Sequence, residues 1–144
     1  TVDALATVDR DTAALVLEPV QGEGGIHSLP DEFLHAARDA ATDKGALLIH
    51  DEIQDSSRTG MFLHGGADIV TMGKGLAGGL PIGTCSVTAE VAERLPPAGH
   101  GSTYGGSPLV CAAGAETIRT FYDERLMDRA RDMGPRFADA IAVI

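Results

Sequence analysis

Apolar residues recur along this chain in two patterns. Four runs of four or five residues, 13–17, 46–49, 68–72 and 83–87, are bounded by Gly, Asp or Pro and read as strands of a largely buried sheet. Longer stretches place apolar residues at three- and four-residue spacing and read as helices. One covers 28–44, with Phe33, Leu34, Ala37 and Ala41 on its inner face. Others cover 88–95, 108–122 and 126–144, and residues 2–8 show the same spacing through Val2, Leu5 and Ala6. In 108–122 the spacing puts Leu109, Ala112, Ala113 and Ile118 on one side.

The punctuation agrees. Pro19 ends the first strand, because proline cannot donate to a ladder. Ser28 or Asp31 can cap the helix that follows, Pro30 suits its first turn, and Gly45 closes it. Thr88 is a cap candidate, residues 96–99 form a loop, and Pro108 opens the next helix. Pro135 is expected to kink or divide the last one. Strand, helix and strand over 13–49 make a right-handed βαβ unit. The expected fold is therefore α/β, a mostly parallel sheet with flanking helices.

That fold gives two polar residues a special position. Asp51 and Lys74 fall just past the carboxyl ends of two strands, the edge at which open α/β sheets bind ligands. Lys74 is one of two lysines, and Gly73 and Gly75 flank it. A lysine on a small-residue turn opposite a strand-end carboxylate suggests a Schiff-base lysine facing a cationic ring nitrogen. A strand-end Asp can equally be a turn cap, and a lone Lys can simply be solvated.

Composition narrows the partners. With 144 residues there is room for one domain with a core, and no apolar stretch approaches membrane-span length. The first residues show no secretory pattern, and a cytoplasmic protein is expected. A net charge of −10 argues against nucleic acid. Cys85 and Cys111 read as core thiols in a reducing cytosol. His50, His64 and His100 lack metal-ligand spacing and read as packing or loop residues, so no metal is expected.

Four motifs occur in order: EPVQGEGG (18–25), DEIQ with RTG (51–54, 58–60), GKGLAGGLPIG (73–83) and HGSTYGGSP (100–108). Together they closely resemble the class III aminotransferases, which use pyridoxal 5'-phosphate. The wording is most similar to the acetylornithine and ornithine group. The resemblance covers about residues 9–121.

It implies the large domain of a fold type I pyridoxal-phosphate-dependent transferase over 1–107, then a connecting helix and the start of a small C-terminal domain over 108–144. Lys74 resembles the lysine that carries the cofactor and moves the substrate proton. Asp51 resembles the carboxylate that pairs with the pyridinium nitrogen, and Gln54 the residue at the phenolic oxygen. Ser102 and Thr103 resemble the residues that reach the phosphate of a neighbouring subunit, which implies a homodimer of the full-length protein. Glu23 resembles a gate beside the substrate, Glu18 is placed near the cofactor or in a turn, and Arg58 is structural or near the site mouth.

The implied reaction moves the terminal amine of N-acetylornithine or a close analogue to 2-oxoglutarate, in arginine or other amino-acid biosynthesis. Ornithine, 4-aminobutyrate or a carrier-bound lysine amine would fit the same motifs, as would an aminomutase of the class or a non-catalytic remnant. There are departures. Asp55, Ser56 and Ser57 stand where the family has a longer loop, and 61–67 is shorter than usual. Both ends read as cut. The family's N-terminal phosphate loop and C-terminal carboxylate-binding arginine are not within 1–144, so the chain is expected to be a fragment.

Overall fold

The computed structural model describes residues 2–142. A 3-10 turn, Val2–Thr7, leads into β1 (Ala14–Leu17), a two-residue strand β2 (Val20–Gln21), its partner β3 (His27–Ser28), α1 (Asp31–Lys44) and β4 (Leu47–Asp51). Then come β5 (Ile69–Met72), a 3-10 turn (Lys74–Ala77), β6 (Thr84–Val87), α2 (Ala89–Arg94), α3 (Pro108–Asp123) and α4 (Leu126–Ile141). The four long strands form one sheet in the order β1-β4-β5-β6. The first two pairings are parallel and the β5–β6 pairing is antiparallel. The short link after β5, with no crossover helix, lets the chain fold straight back, which gives the antiparallel edge. The expectation of a mostly parallel sheet holds.

The α1 face expected from spacing is the buried one. Ala37 and Ala41 are fully buried and meet Ala46 and Leu48, with Leu15 and Leu17 alongside. Two alanines in the contact let the helix lie close on the sheet, and burying Leu48 contributes about 2 kcal/mol. Gly45 ends the helix in the left-handed region, with its N–H returned to the Ala41 and Thr42 carbonyls. A second cluster joins β5 to α3 through Val70, Met72, Leu76, Ile82 and Ile118.

Several expectations need correction. The helix begins at Asp31, because Ser28 pairs with Val20 in the small β2–β3 ladder and Pro30 is extended. In α3 the inner face is Val110, Ala113, Gly114, Thr117 and Ile118, whereas Leu109 and Ala112 face out. The sheet-bound turn at Leu76 selects the face on which Gly114 permits close approach. Cys85 and Cys111 are exposed, not core thiols. The last helix runs undivided through Pro135 to Ile141, while Val143 and Ile144 of the expected element lie outside the described residues. No described helix is long and apolar enough to cross a membrane.

One ion pair ties helix to sheet. Asp68 Oδ2 accepts from Arg38 Nη1 of α1 and from the Leu48 N–H of β4, each at 2.7 Å. Partial burial pushes this carboxyl up, but the Arg38 hydrogen bond, the Leu48 N–H and the Arg38 charge outweigh it, and its pKa lies below the ordinary carboxylate value. The stabilisation is therefore complete above that ordinary value and is lost as pH falls through the lower folded one. Asp68→Asn in the full-length protein should cost about 2 kcal/mol at pH 7 in urea unfolding. The gap from the unsubstituted protein should close as pH falls through the carboxylate range. An unchanged midpoint at pH 7 would contradict the assignment.

Candidate active site

The site grows from the carboxyl ends of β4 and β5. These strands are parallel neighbours in register, with Asp51 opposite Thr71. Asp51 is the last residue of β4, not just beyond it. Its Oδ1 accepts from Thr71 Oγ1 at 3.1 Å and from the Ile53 N–H at 3.2 Å. Both bonds fix the carboxylate's orientation at the sheet edge. Thr71 went unremarked in the sequence, although register with Asp51 is its only signal.

Three residues past Asp51, Gln54 turns towards β5. Its Oε1 accepts from Lys74 Nζ at 2.5 Å. Gly22 makes room for it, because a Cβ there would lie 2.6 Å from the Gln54 amide. The EPVQGEGG loop thus closes over Gln54 at Gly22, where a side chain would push the Gln54 amide aside. Glu18 holds that loop from below, where its Oε2 accepts the Gly22 N–H at 3.1 Å. Glu18 is thereby a turn-stabilising acid, and it also borders a hollow with Gln21, Phe33 and Asp51. Glu23 is exposed on the same loop.

Lys74 starts the 3-10 turn at φ 45°, a left-handed conformation for a residue with a Cβ. Such a conformation costs on the order of 1–3 kcal/mol and persists where surroundings impose it. Here they do. Gly73 packs against the Ile82 carbonyl, and Gly114 brings α3 onto the Leu76 carbonyl. Leu76 and Ala77 are buried behind, while Lys74 itself is exposed. The lysine borders a hollow with Leu80, Pro81, Ile82 and Gly83. Arg58 reaches the same turn beside Gly75.

The structure therefore brings Asp51, Gln54 and Lys74 to one sheet edge, with Glu18 beneath the loop above them. Ser102 is one step removed, in a hollow that shares Pro81, Ile82 and Gly83 with the Lys74 one. Thr103 is exposed on the same loop, which leads into α3 without a side-chain cap at Ser107.

The donor set fits pyridoxal phosphate: an amine for its aldehyde, a carboxylate for its ring nitrogen and an amide for its phenolic oxygen. Strand alternation sends His50 and Glu52 to the opposite face of β4, away from this edge.

Comparison with known proteins identifies the family. The model of the family "Aminotransferase class-III" matches residues 1–144. The chain is 45% identical over 145 residues to a [LysW]-aminoadipate semialdehyde transaminase of Deinococcus radiodurans, covering 96% of this chain and 34% of that protein. It is 45% identical over 150 residues to the acetylornithine aminotransferase of Mycobacterium tuberculosis, covering 99% of this chain and 38% of that one. The solved ornithine aminotransferase of Toxoplasma gondii superposes with a TM-score of 0.87 at 39% identity, over 97% of this chain and 34% of that one. The chain spans about a third of the length of the relatives it matches. On family match, identity and shared fold together, the chain belongs to the class III aminotransferases, a family that works with pyridoxal phosphate.

Proposed function

We propose that this chain is the cofactor-binding part of an aminotransferase that takes the terminal amine of N-acetylornithine or a close analogue and passes it to 2-oxoglutarate. The observation that carries the reading is the strained, exposed Lys74 amine held by Gln54 at the edge where Asp51 stands. When bound, pyridoxal phosphate supplies the electron sink that lets a substrate C–H bond ionise.

The chain's own residues do the rest. Lys74 Nζ would hold the cofactor at its aldehyde and, as a free amine, would carry the substrate proton. Asp51 holds a proton on the ring nitrogen, with Thr71 and the Ile53 N–H fixing its orientation. Gln54 steers both the phenolic oxygen and the lysine. Glu23 faces the substrate from the loop above, and Glu18 keeps that loop in place. Ser102 and Thr103 hold the phosphate of a second copy, at the uncapped start of α3. The division at 107–108 and a cytoplasmic homodimer belong to the same reading. A carrier-bound amine is the second substrate reading, favoured by the Deinococcus relative.

Variants of the full-length protein test it. Lys74→Ala should remove the visible absorption of bound pyridoxal phosphate. Asp51→Asn should keep that absorption and fold but lower kcat, because losing a hydrogen bond to a charged group, about 1.5–3 kcal/mol, is roughly a tenfold to hundredfold loss in rate. Unchanged turnover in Asp51→Asn would refute the role.

Gly22→Ala should displace Gln54 and shift the absorption of the bound cofactor with little change in melting temperature. An unaltered spectrum would show that Gln54 does not touch the cofactor. Thr103→Val should weaken cofactor retention more than folding. A sedimenting monomer that still holds the cofactor and turns over would defeat the shared-site claim.

A further inference from the structure

The face of β4 turned away from Lys74 carries an arrangement that transamination does not use. Glu52 is fully buried, Asp55 is 4% exposed, and both carboxylates lie beside the His64 ring. His64 Nδ1 is 3.3 Å from Glu52 Oε2 and 3.4 Å from Asp55 Oδ2. The His64 N–H donates to both Glu52 oxygens at 3.0 Å, which delivers the ring to the acids. One donor atom from each of Glu52, Asp55 and His64 lies within 4.8 Å of the other two.

Two features say that this cluster lacks a partner. Both Asp55 carboxylate oxygens are buried without a well-formed hydrogen bond, the Val20 and Asp55 N–H groups lying nearby. Both ring nitrogens of His50 are also buried without a hydrogen bond; this residue is wholly buried and sits with Nδ1 3.8 Å from Glu52 Oε1. A buried carboxylate left so costs several kcal/mol unless something positive faces it. No Arg or Lys forms an ion pair with either acid among the described residues.

The separations suit a shared ion. Good N–H···O bonds span about 2.7–3.2 Å. Donor atoms on one zinc ion, at bonds of about 2.0–2.1 Å and tetrahedral angles, stand roughly 3.3–3.4 Å apart. The observed 3.3 and 3.4 Å match the second, and the 3.3 Å contact is also within hydrogen-bond reach. Two carboxylates and one imidazole also balance a divalent charge and suit a borderline transition ion.

We propose that Glu52, Asp55 and His64 bind a divalent transition-metal ion of the zinc type, with His50 packed behind Glu52. The ion cross-links the end of β4 to the 55–64 loop. That loop carries Arg58 to the lysine turn, so the ion braces the site from behind without touching substrate.

The test uses full-length protein carrying Cys85→Ser and Cys111→Ser, so that these exposed thiols do not compete. After chelator treatment it is dialysed against Zn2+, then Co2+. The proposal expects one ion per chain more than in the same protein with Asp55→Asn or His64→Gln. Each variant should weaken that binding about a hundredfold or more. Zn2+ should raise the melting temperature of the parent and not of the isosteric Asp55→Asn variant. Co2+ should give a visible band of nitrogen and oxygen coordination that His64→Gln abolishes. Equal metal content in parent and both variants would overturn the proposal. So would a parent whose melting temperature and Co2+ spectrum do not respond, which would mean that the acids share a proton instead.

Discussion

The two-residue period of β4 is the constraint on which this structure turns. Leu48, His50 and Glu52 point to one face, and Ile49 and Asp51 to the other. A slip of one residue would bury Asp51 and expose Glu52 to the ligand edge. The register is held from both sides. β1 and β5 pair in parallel with β4, and Asp68 receives the Leu48 N–H together with Arg38. Leu48 against Ala37 and Ala41 makes the alternative register costly, because an apolar side chain would leave the core.

From that register the site assembles by short, local moves. Thr71 faces Asp51 because the strands are in step. β5 then ends, and the chain turns through Gly73 so abruptly that Lys74 takes a left-handed conformation. The strain is supported by packing of Leu76 and Ile82 against α3. The edge that carries Lys74 is therefore supported from behind by α3. Gly22 plays the complementary part above the sheet, because its missing side chain is the space Gln54 occupies.

Much of this was legible in the residues. The strands are short apolar runs with clear stops, and α1 has an unambiguous inner face. Lys74 and Asp51 stood out because their neighbours, glycines and strand ends, limit what they can do. The misreadings share a cause: spacing reports which residues align, not which side a partner occupies. In α3 two apolar stripes exist, and the packed one is chosen by Gly114 beneath the Leu76 turn. Ser28 looked like a cap because serine caps well, but its backbone pairs with Val20. Cys85 and Cys111 looked apolar by neighbourhood yet lie on outer surfaces. Glu52 and Asp55 were hidden for a different reason. Their meeting with His64 depends on how the 55–64 loop folds back on β4, and spacing along the chain does not encode that.

The central claim is that Lys74, and no other residue, is the point of covalent attachment to the cofactor. Borohydride reduction of the full-length protein with pyridoxal phosphate, followed by peptide mass spectrometry, reads that attachment directly. The account predicts a single modified peptide, with the added mass on Lys74. Modification at Lys44 or at any other lysine, with Lys74 untouched, would contradict it.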